Sequence, residues 1–275
     1  MFIAHIRKDG TEQSVEQHLS RVATLCGKFG CKLKLNCLAR LIGALHDLGK
    51  YTTAFNEYIF YSFLHPEDRT LKGKIPHSLQ GALYLCNCFY NESPPCRAAA
   101  VAALCIASHH SGLMDCISPT GELPFYEQLK RDDAKLHYAE SRENFLRECS
   151  LSRELDELFA CATGEIKTLT QHLKEQGLLS NFNIHLVVRF LFSCLIDADR
   201  YETYCFMTGQ LPRPSPVPPW ELLLNRLEEH LLTKNPKQLS PQEAVQVLQR
   251  GDSYGLPLQE TIDLLRAAIS TRCLA

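Results

Sequence analysis

The sequence predicts an all-α protein, and three observations support this fold class. The 275 residues include 43 leucines but only 20 valines and isoleucines together, and leucine is the better helix former. Apolar residues recur at intervals of three and four, and no segment shows sustained alternation of apolar and polar residues. Hydrophobic residues make up 45% of the chain and charged residues 22%, which is typical of a globular protein with a full core.

Capping residues and apolar faces delimit the helices of the first half. Ser14 and Gln17 form a Ser-x-x-Gln capping box, which predicts the start of the first helix. The second predicted helix runs from Asn36 to Leu48, and Gly49 then offers a stop. Three further helices are predicted from the same signals: Thr53–Tyr61, a helix capped by Ser78 that reaches about Phe89, and a helix from Pro94-Pro95 to Ser108.

The second half is predicted to continue the helical core and to end in a small appendage. A loop over 115–124 precedes a polar helical region over 125–150, and two more helices are predicted from Leu151 to about Gln176 and from Asn183 to about Cys205. Five prolines between residues 212 and 219 predict a stiff, extended linker. Helical segments are then predicted at about 219–233, 241–249 and 257–271. We therefore expect a domain over 1–211 and a linker with a helical tail over 212–275.

Composition and net charge indicate the cellular location of the protein, the state of its cysteines and the partners that it binds. No N-terminal secretory signal and no run of 18 uncharged apolar residues is visible, so we expect a cytoplasmic protein without membrane contact. The 13 cysteines are odd in number and include no CxxC pair, so we expect free thiols rather than disulfides. The net charge of −2 argues against a protein that holds duplex DNA unaided, because phosphate neutralisation needs a basic surplus.

Histidine and aspartate residues occupy inward faces and helix ends. The set comprises His18, His46-Asp47, His77, His109-His110, and Asp197 with Asp199. Buried imidazoles and carboxylates without partners are costly, and together they are the ligands that first-row divalent metals prefer. Two such ions about 3.5–4 Å apart can activate water and clamp a phosphate. The ordered set therefore predicts a metal site.

Single members of this set have ordinary interpretations as well. His18 alone on an apolar face is also explained as a hydrogen-bonded core histidine, and His-His pairs occur in loops. Asp197 and Asp199 are also explained as residues at a helix end or as partners of Arg200. Two positions apart on a helix, these aspartates point roughly 200° apart, so both cannot face one site.

Four short sequence motifs resemble those of the HD phosphohydrolase superfamily, and more closely those of the HD nuclease module of the type I CRISPR interference nuclease-helicase. They are HDLGK, HSLQGA, ASHHSG and DADR. The resemblance covers about His18 to Tyr201 and implies an HD-domain helical bundle. It implies one metal on His18, His46, Asp47 and Asp199, with Asp197 as the alternative to Asp199. Asp47 would bridge to a second metal held by His77, His109 and His110.

The resemblance also implies a role for Lys50 and a class of reaction. A lysine at this spacing contacts the reacting phosphate in two-metal relatives, where its charge stabilises developing negative charge; a solvated helix end is the other interpretation. The implied enzyme is a metal-dependent nuclease that cuts single-stranded DNA with two divalent transition-metal ions, namely Mn, Ni, Co or Fe rather than Mg. A basic loop with Arg69, Lys72 and Lys74 leads into His77; one interpretation is a track for the backbone of a strand, and the other is a solvated charged loop.

The implied partners are a superfamily 2 type helicase, fused or separate, and through it a CRISPR RNA surveillance complex. The segment ETIDLLRAAISTRCLA resembles the stretch before the first helicase motif, but no G-x-x-x-x-G-K-[ST] loop occurs, so the chain is not itself an ATPase. Two alternatives stay open. One is an HD enzyme that hydrolyses nucleotides or cyclic dinucleotides, and the other is a non-catalytic docking module with structural metals.

Overall fold

Helices form most of the described structure. The computed structural model describes residues 1–71, 73–89, 96–130, 133–210, 221–222 and 224–226, in two units, Met1–Pro212 and Arg213–Ala275. The described part of the first unit contains ten α-helices: α1 (Val15–Gly30), α2 (Asn36–Leu45), α3 (Thr53–Leu64), α4 (Gln80–Phe89), α5 (Arg97–Ser108), α6 (Pro124–Leu129), α7 (Asp133–Leu136), α8 (Tyr138–Glu148), α9 (Leu155–Glu175) and α10 (Asn181–Thr208).

The second unit is described only in part. Residues 221–222 and 224–226 are helical. The proline-rich linker, most of the predicted segment 219–233 and the predicted segments 241–249 and 257–271 lie outside the described residues.

The all-α prediction is confirmed, with one small addition. Strands β1 (Ile3–Ile6) and β2 (Glu12–Ser14) pair in an antiparallel hairpin ahead of α1. Strands of four and three residues are too short to show the alternation by which a strand is recognised in a sequence. Ser14 ends β2 and caps α1, because its hydroxyl accepts a hydrogen bond from the Gln17 N–H at 3.1 Å. The hairpin therefore lies directly beside the start of α1.

The second helix ends three residues earlier than predicted. α2 stops at Leu45 and His46 keeps helical dihedral angles, but Asp47 leaves the helix with φ −112° and ψ 27°. A 3₁₀ turn over Leu48–Lys50 follows, in which the Lys50 N–H donates to the Asp47 carbonyl at 2.9 Å. The turn places the Lys50 side chain beside Asp47 and leads the chain into α3.

Two glycines allow neighbouring helices to approach α2 closely. A Cβ at Gly81 would overlap the carbonyl oxygen of Leu45, and a Cβ at Gly43 would lie 2.8 Å from the Cα of Ala23. Glycine avoids both overlaps because it has no Cβ. α1 and α4 are thereby held against the end of α2, from which the His46-Asp47 dipeptide projects.

The predicted polar helical region over 125–150 contains three short helices, α6, α7 and α8, in its described part. His137 has a left-handed φ of 50° at the start of α8, and this separates α8 from α7. The side-chain amide of Asn144 on α8 donates to the Tyr51 carbonyl at 3.0 Å. α8 therefore packs on the turn that follows Asp47.

Elsewhere α4 begins at Gln80 rather than Ser78, a 3₁₀ turn over Ser150–Glu154 precedes α9, and α10 is longer than predicted at both ends.

α10 is long and apolar, and one of its faces packs against the core. The sequence predicted no membrane span, and by length and composition alone α10 is the one described helix that could form one. Its Leu191, Leu195 and Ala198 are fully buried in the hydrophobic core, and Asp199 on the same helix contacts His18 of α1. α10 therefore packs one face against the core, while Phe182, Leu186, Tyr204 and Met207 are exposed.

The prediction that the cysteines are all free thiols is wrong for one pair. Cys37 and Cys161 form a disulfide between α2 and α9, with Cα atoms 5.9 Å apart. The two residues lie 124 positions apart, so only helix packing reveals their proximity. Glu165 on α9 strengthens the same junction, because its carboxylate accepts hydrogen bonds from the N–H groups of Cys37 and Leu38, each at 2.9 Å. The other described cysteines are free.

Candidate metal centre

Four elements bring imidazoles and carboxylates together in the interior. His18 lies on α1, His46 and Asp47 follow α2, His109 follows α5, and Asp199 lies on α10. His18 and His46 are fully buried, and Asp47 and His109 are 1% and 6% exposed. Asp199 keeps 20% of its side chain exposed. The cluster therefore lies in the interior and reaches solvent at Asp199.

The first group of possible ligands combines two imidazoles with two carboxylates. The Nε2 atom of His18 lies 3.4 Å from Asp47 Oδ2 and 3.4 Å from Asp199 Oδ1. The Nε2 atom of His46 lies 3.2 Å from Asp47 Oδ2 and 3.7 Å from Asp199 Oδ1. One atom from each of these four residues lies within 4.8 Å of all the others, so the group could hold one metal ion.

The second group shares Asp47 with the first. Asp47 Oδ1 lies 3.4 Å from His109 Nε2, and Asp47, His109 and His110 form another set that could hold a metal ion. His77 joins this side of the cluster, because its Nε2 lies 2.8 Å from the Nε2 of His110. His110 is exposed. The two carboxylate oxygens of Asp47 thus face different groups of imidazoles, which is the arrangement that a bridging ligand requires.

Each of four imidazoles is fixed through its Nδ1 atom. The Nδ1 of His46 lies 2.9 Å from the carbonyl oxygen of Gly43. The Nδ1 of His109 lies 2.6 Å from that of Ile106, and the Nδ1 of His77 lies 3.0 Å from that of Ile75. The Nδ1 of His18 lies 2.7 Å from Glu202 Oε2. In a neutral imidazole that donates from Nδ1, the lone pair is on Nε2. In their neutral form, which metal binding requires, all four rings therefore turn a lone pair toward the cluster, as metal-ligating histidines do.

Buried polar atoms without partners show that the residues fit a metal. In the described part of the chain, Nε2 of His18, His46 and His109 and Oδ1 of Asp47 are buried and make no hydrogen bond. An unpaired buried polar atom costs free energy, and such atoms are rarely concentrated in one place. Three imidazole nitrogens and a carboxylate oxygen make a donor set that borderline divalent ions prefer. A cation in the first group would satisfy Nε2 of His18 and His46, and a cation in the second group would satisfy Nε2 of His109 and Oδ1 of Asp47.

The charges in the cluster depend strongly on one another. Burial opposes ionisation of Asp47, but Lys50 and His46 outweigh it and hold the pKa of Asp47 well below its usual range. Burial alone would lower the pKa of His46, but Asp47 and Asp199 raise it to about 10. A histidine must be neutral to ligate a metal. An ion that binds here therefore displaces a proton from His46.

His77 and His110, on the second side of the cluster, are neutral near pH 7. Burial lowers the pKa of His77 to about 4, and burial with the nearby His109 lowers the pKa of His110 to about 4. Both rings therefore keep a nitrogen lone pair available at neutral pH, which is the form that binds metals.

Lys50 is buried beside Asp47 rather than solvated at a helix end. Its Nζ lies 2.8 Å from Asp47 Oδ2, and the residue is 5% exposed. The same ammonium lies 3.4 Å from Nε2 of His5 on β1, and 5.5 Å from the centre of the Phe55 ring. Burial and then the charge of Lys50 lower the pKa of His5 to about 2, so His5 is a neutral acceptor for Lys50.

The structure separates the two aspartates that the sequence left as alternatives. Asp199 faces His18 and His46, whereas Asp197 is exposed and is not part of either group of possible ligands among the described residues. In the basic loop, Arg69 and Lys74 are exposed, and Lys72 lies outside the described residues.

Sequence reasoning missed Glu202, His5 and Gln13. Glu202 was detectable in principle, because it lies three positions after Asp199 and therefore on the same face of α10. His5 and Gln13 lie on β1 and β2, which were not predicted, so nothing in the sequence indicated that they face the interior.

A groove lies beside this cluster, between α1 and α10. It has a volume of about 580 Å³, and Glu202 forms part of its wall. Arg7, Arg21 and Lys28 give it positive charge, and Tyr201 and Phe206 give it aromatic surface.

One family comparison bears on the chain. A family profile described as HD domain matches residues 15–157, which is more than half of the 275 residues. The match includes His18, His46, Asp47, His77, His109 and His110, and it ends before α10. A comparison with curated proteins finds no match.

Proposed function

Because the chain belongs to the HD-domain family, whose members are metal-dependent phosphohydrolases, we propose that it is a nuclease that hydrolyses phosphodiester bonds of single-stranded DNA. The observation that carries this proposal is the position of Asp47, because its two carboxylate oxygens face two different groups of imidazoles. His18, His46, Asp47 and Asp199 would hold one divalent ion. Asp47, His109 and His110, with His77, would hold a second, and Mn, Ni, Co and Fe suit this donor set better than Mg.

The protein's own residues prepare the site for hydrolysis. When bound, the ions supply Lewis acidity and lower the pKa of coordinated water. The Nδ1 contacts fix the imidazoles in advance, so that no reorganisation is needed when charge develops. Lys50 keeps Asp47 ionised and places a buried ammonium beside the cluster, where it is available to neutralise a phosphate. The apolar core around α2 and α5 limits access by bulk water.

The groove between α1 and α10 supports a polymer as substrate rather than a small nucleotide. Cationic side chains that follow a phosphate backbone, together with aromatic rings that stack on bases, are the features with which proteins bind single strands. Arg21 and Lys28 offer the charge, and Phe206 offers an aromatic surface. Glu202 connects the groove to the cluster, because it lines the groove and also contacts His18.

The proposed partner is a helicase of superfamily 2 type, and through it a CRISPR RNA surveillance complex in the cytoplasm. This part of the proposal is supported by the resemblance of the four short sequence motifs to those of the nuclease module of type I CRISPR interference. It is also supported by the net charge of −2, because a nuclease without a basic surplus needs another protein to open and deliver the strand.

The loaded protein is expected to hold two ions per chain. Reconstitution with Mn²⁺ or Ni²⁺, removal of free metal and elemental analysis would give this number directly. Two ions are expected because Asp47 is shared between two sets of possible ligands. A single ion under saturating conditions would reduce the site to a one-metal centre.

The loaded chain is expected to cut single strands at least about tenfold faster than blunt duplex, because its net charge of −2 gives it no basic surplus with which to hold a duplex. The assay compares one labelled oligonucleotide alone and annealed to its complement, with Mn²⁺ and with a chelator, over a range of salt concentrations. Cleavage is expected to weaken only modestly with salt, since few phosphates are neutralised at once. Efficient cleavage of duplex would contradict the proposal, as would hydrolysis of nucleotides or cyclic dinucleotides instead of DNA. Metal binding without any hydrolysis would indicate a structural centre.

A further inference from the structure

Glu202 is a buried carboxylate with a polar partner for each of its oxygens. The residue is 4% exposed. Its Oε2 lies 2.7 Å from His18 Nδ1, and its Oε1 accepts a hydrogen bond from the side-chain amide of Gln13 at 2.6 Å. The guanidinium of Arg21 lies 3.4 Å from Oε1. A buried carboxylate is costly unless it is paired and hydrogen-bonded, and these contacts hold Glu202 in one position.

His18 differs from the other fixed imidazoles because it lies inside a helix. The Nδ1 atoms of His46 and His109 each meet the carbonyl three residues earlier, in the last turn of α2 and of α5. Carbonyls in a last helical turn lack the usual partner four residues later and can accept from a side chain, although the Ile106 carbonyl also accepts from the His109 N–H at 3.3 Å. His18 is the fourth residue of α1, where the backbone carbonyls are used by the helix. Its Nδ1 therefore needs an acceptor from another element, and Glu202 on α10 is that acceptor.

α10 contacts His18 at both ring nitrogens. Glu202 contacts Nδ1, and Asp199, one helical turn earlier, lies 3.4 Å from Nε2. When the Nδ1–H group of His18 donates a hydrogen bond to Glu202, the lone pair on Nε2 points toward Asp47 and Asp199. A carboxylate behind a ligating histidine fixes the ring and increases its basicity as a ligand.

We propose that Glu202 is a positioning residue that holds His18 in the orientation needed to bind the metal ion of the first group, with Gln13 from the N-terminal hairpin holding Glu202 in turn. The proposal rests on the proposed metal-dependent function. Asp199, Glu202 and Gln13 all lie outside residues 15–157, the part matched by the family profile. The hairpin and α10 thus complete a centre that the matched region begins.

The test measures Mn²⁺ affinity by calorimetry, without reference to nuclease activity. Glu202→Ala is expected to weaken binding at the site that contains His18 by about 10- to 100-fold, the usual effect of removing the residue behind a ligand. Asp197→Ala is the matched control, because Asp197 is an exposed carboxylate on the same helix, and it is expected to leave the affinity unchanged. Glu202→Gln keeps the size of the side chain and one acceptor oxygen. It is expected to lose less affinity than Glu202→Ala and serves as the test variant if the alanine variant does not fold.

A double-mutant cycle distinguishes positioning from a general structural role. If Glu202 acts through His18, Glu202→Ala introduced into a His18→Ala background is expected to change Mn²⁺ affinity by less than about twofold, because the shared interaction is already lost. An equal loss in both backgrounds would overturn the proposal, as would wild-type affinity in both Glu202 variants. If the unaltered protein binds no Mn²⁺, the proposed function itself fails. If the unaltered protein binds Mn²⁺ and the Glu202 variants match it, only this inference fails.

Discussion

Replacing Asp47 with alanine is expected to lower the rate of phosphodiester hydrolysis by at least about 100-fold, because bound metals contribute several kcal/mol to such reactions and Asp47 is the residue shared by both groups of possible ligands. The measurement is single-strand cleavage at saturating Mn²⁺, with bound metal counted in the same sample. Residual activity above about a tenth of the original would contradict a mechanism that depends on a bridging carboxylate.

A folding control is needed for this variant because Lys50 is 5% exposed and its ammonium lies 2.8 Å from Asp47 Oδ2. Removing the carboxylate leaves that ammonium buried without its negatively charged partner, which typically costs about 3–5 kcal/mol of stability. Asp47→Asn keeps the shape of the side chain and removes the negative charge. Pairing it with Lys50→Met removes both charges together, so that lost metal binding can be separated from lost folding by thermal unfolding.

Replacing Asp199 with alanine is expected to lower activity by at least about tenfold, since removing one metal ligand commonly costs that much or more. The activity of Asp197→Ala is expected to stay within about twofold of the original, because surface substitutions usually have small effects. Asp199 lies 3.4 Å from His18 Nε2 and Asp197 is exposed. The two variants are matched in chemistry, helix and position along the helix. Rate and Mn²⁺ stoichiometry are measured for both, and the reverse order would show that the other carboxylate is the ligand.

The fold class was predictable because it depends on local properties of the chain. Leucine-rich segments with a period of three to four residues form helices wherever they pack, and the Ser14 cap acts only on the N–H groups that follow it. The placement of imidazoles at helix ends was equally local, as His46-Asp47 and His109-His110 directly follow apolar runs. The helix boundary at Leu45 was not predictable, because the turn at Asp47 depends on packing against α4 and α8.

The sequence by itself determined that helices would form and that histidines and aspartates would gather at their ends; the tertiary structure decided which of them meet. Only packing shows that Asp199 rather than Asp197 faces His18, since the choice depends on the rotation of α10 against α1. Only packing brings Glu202 to His18 across 184 positions, and Cys37 to Cys161 across 124. The physical reason is that helix formation depends on neighbours three and four residues away, whereas a buried site is defined by contacts between segments whose distance along the chain carries no signal.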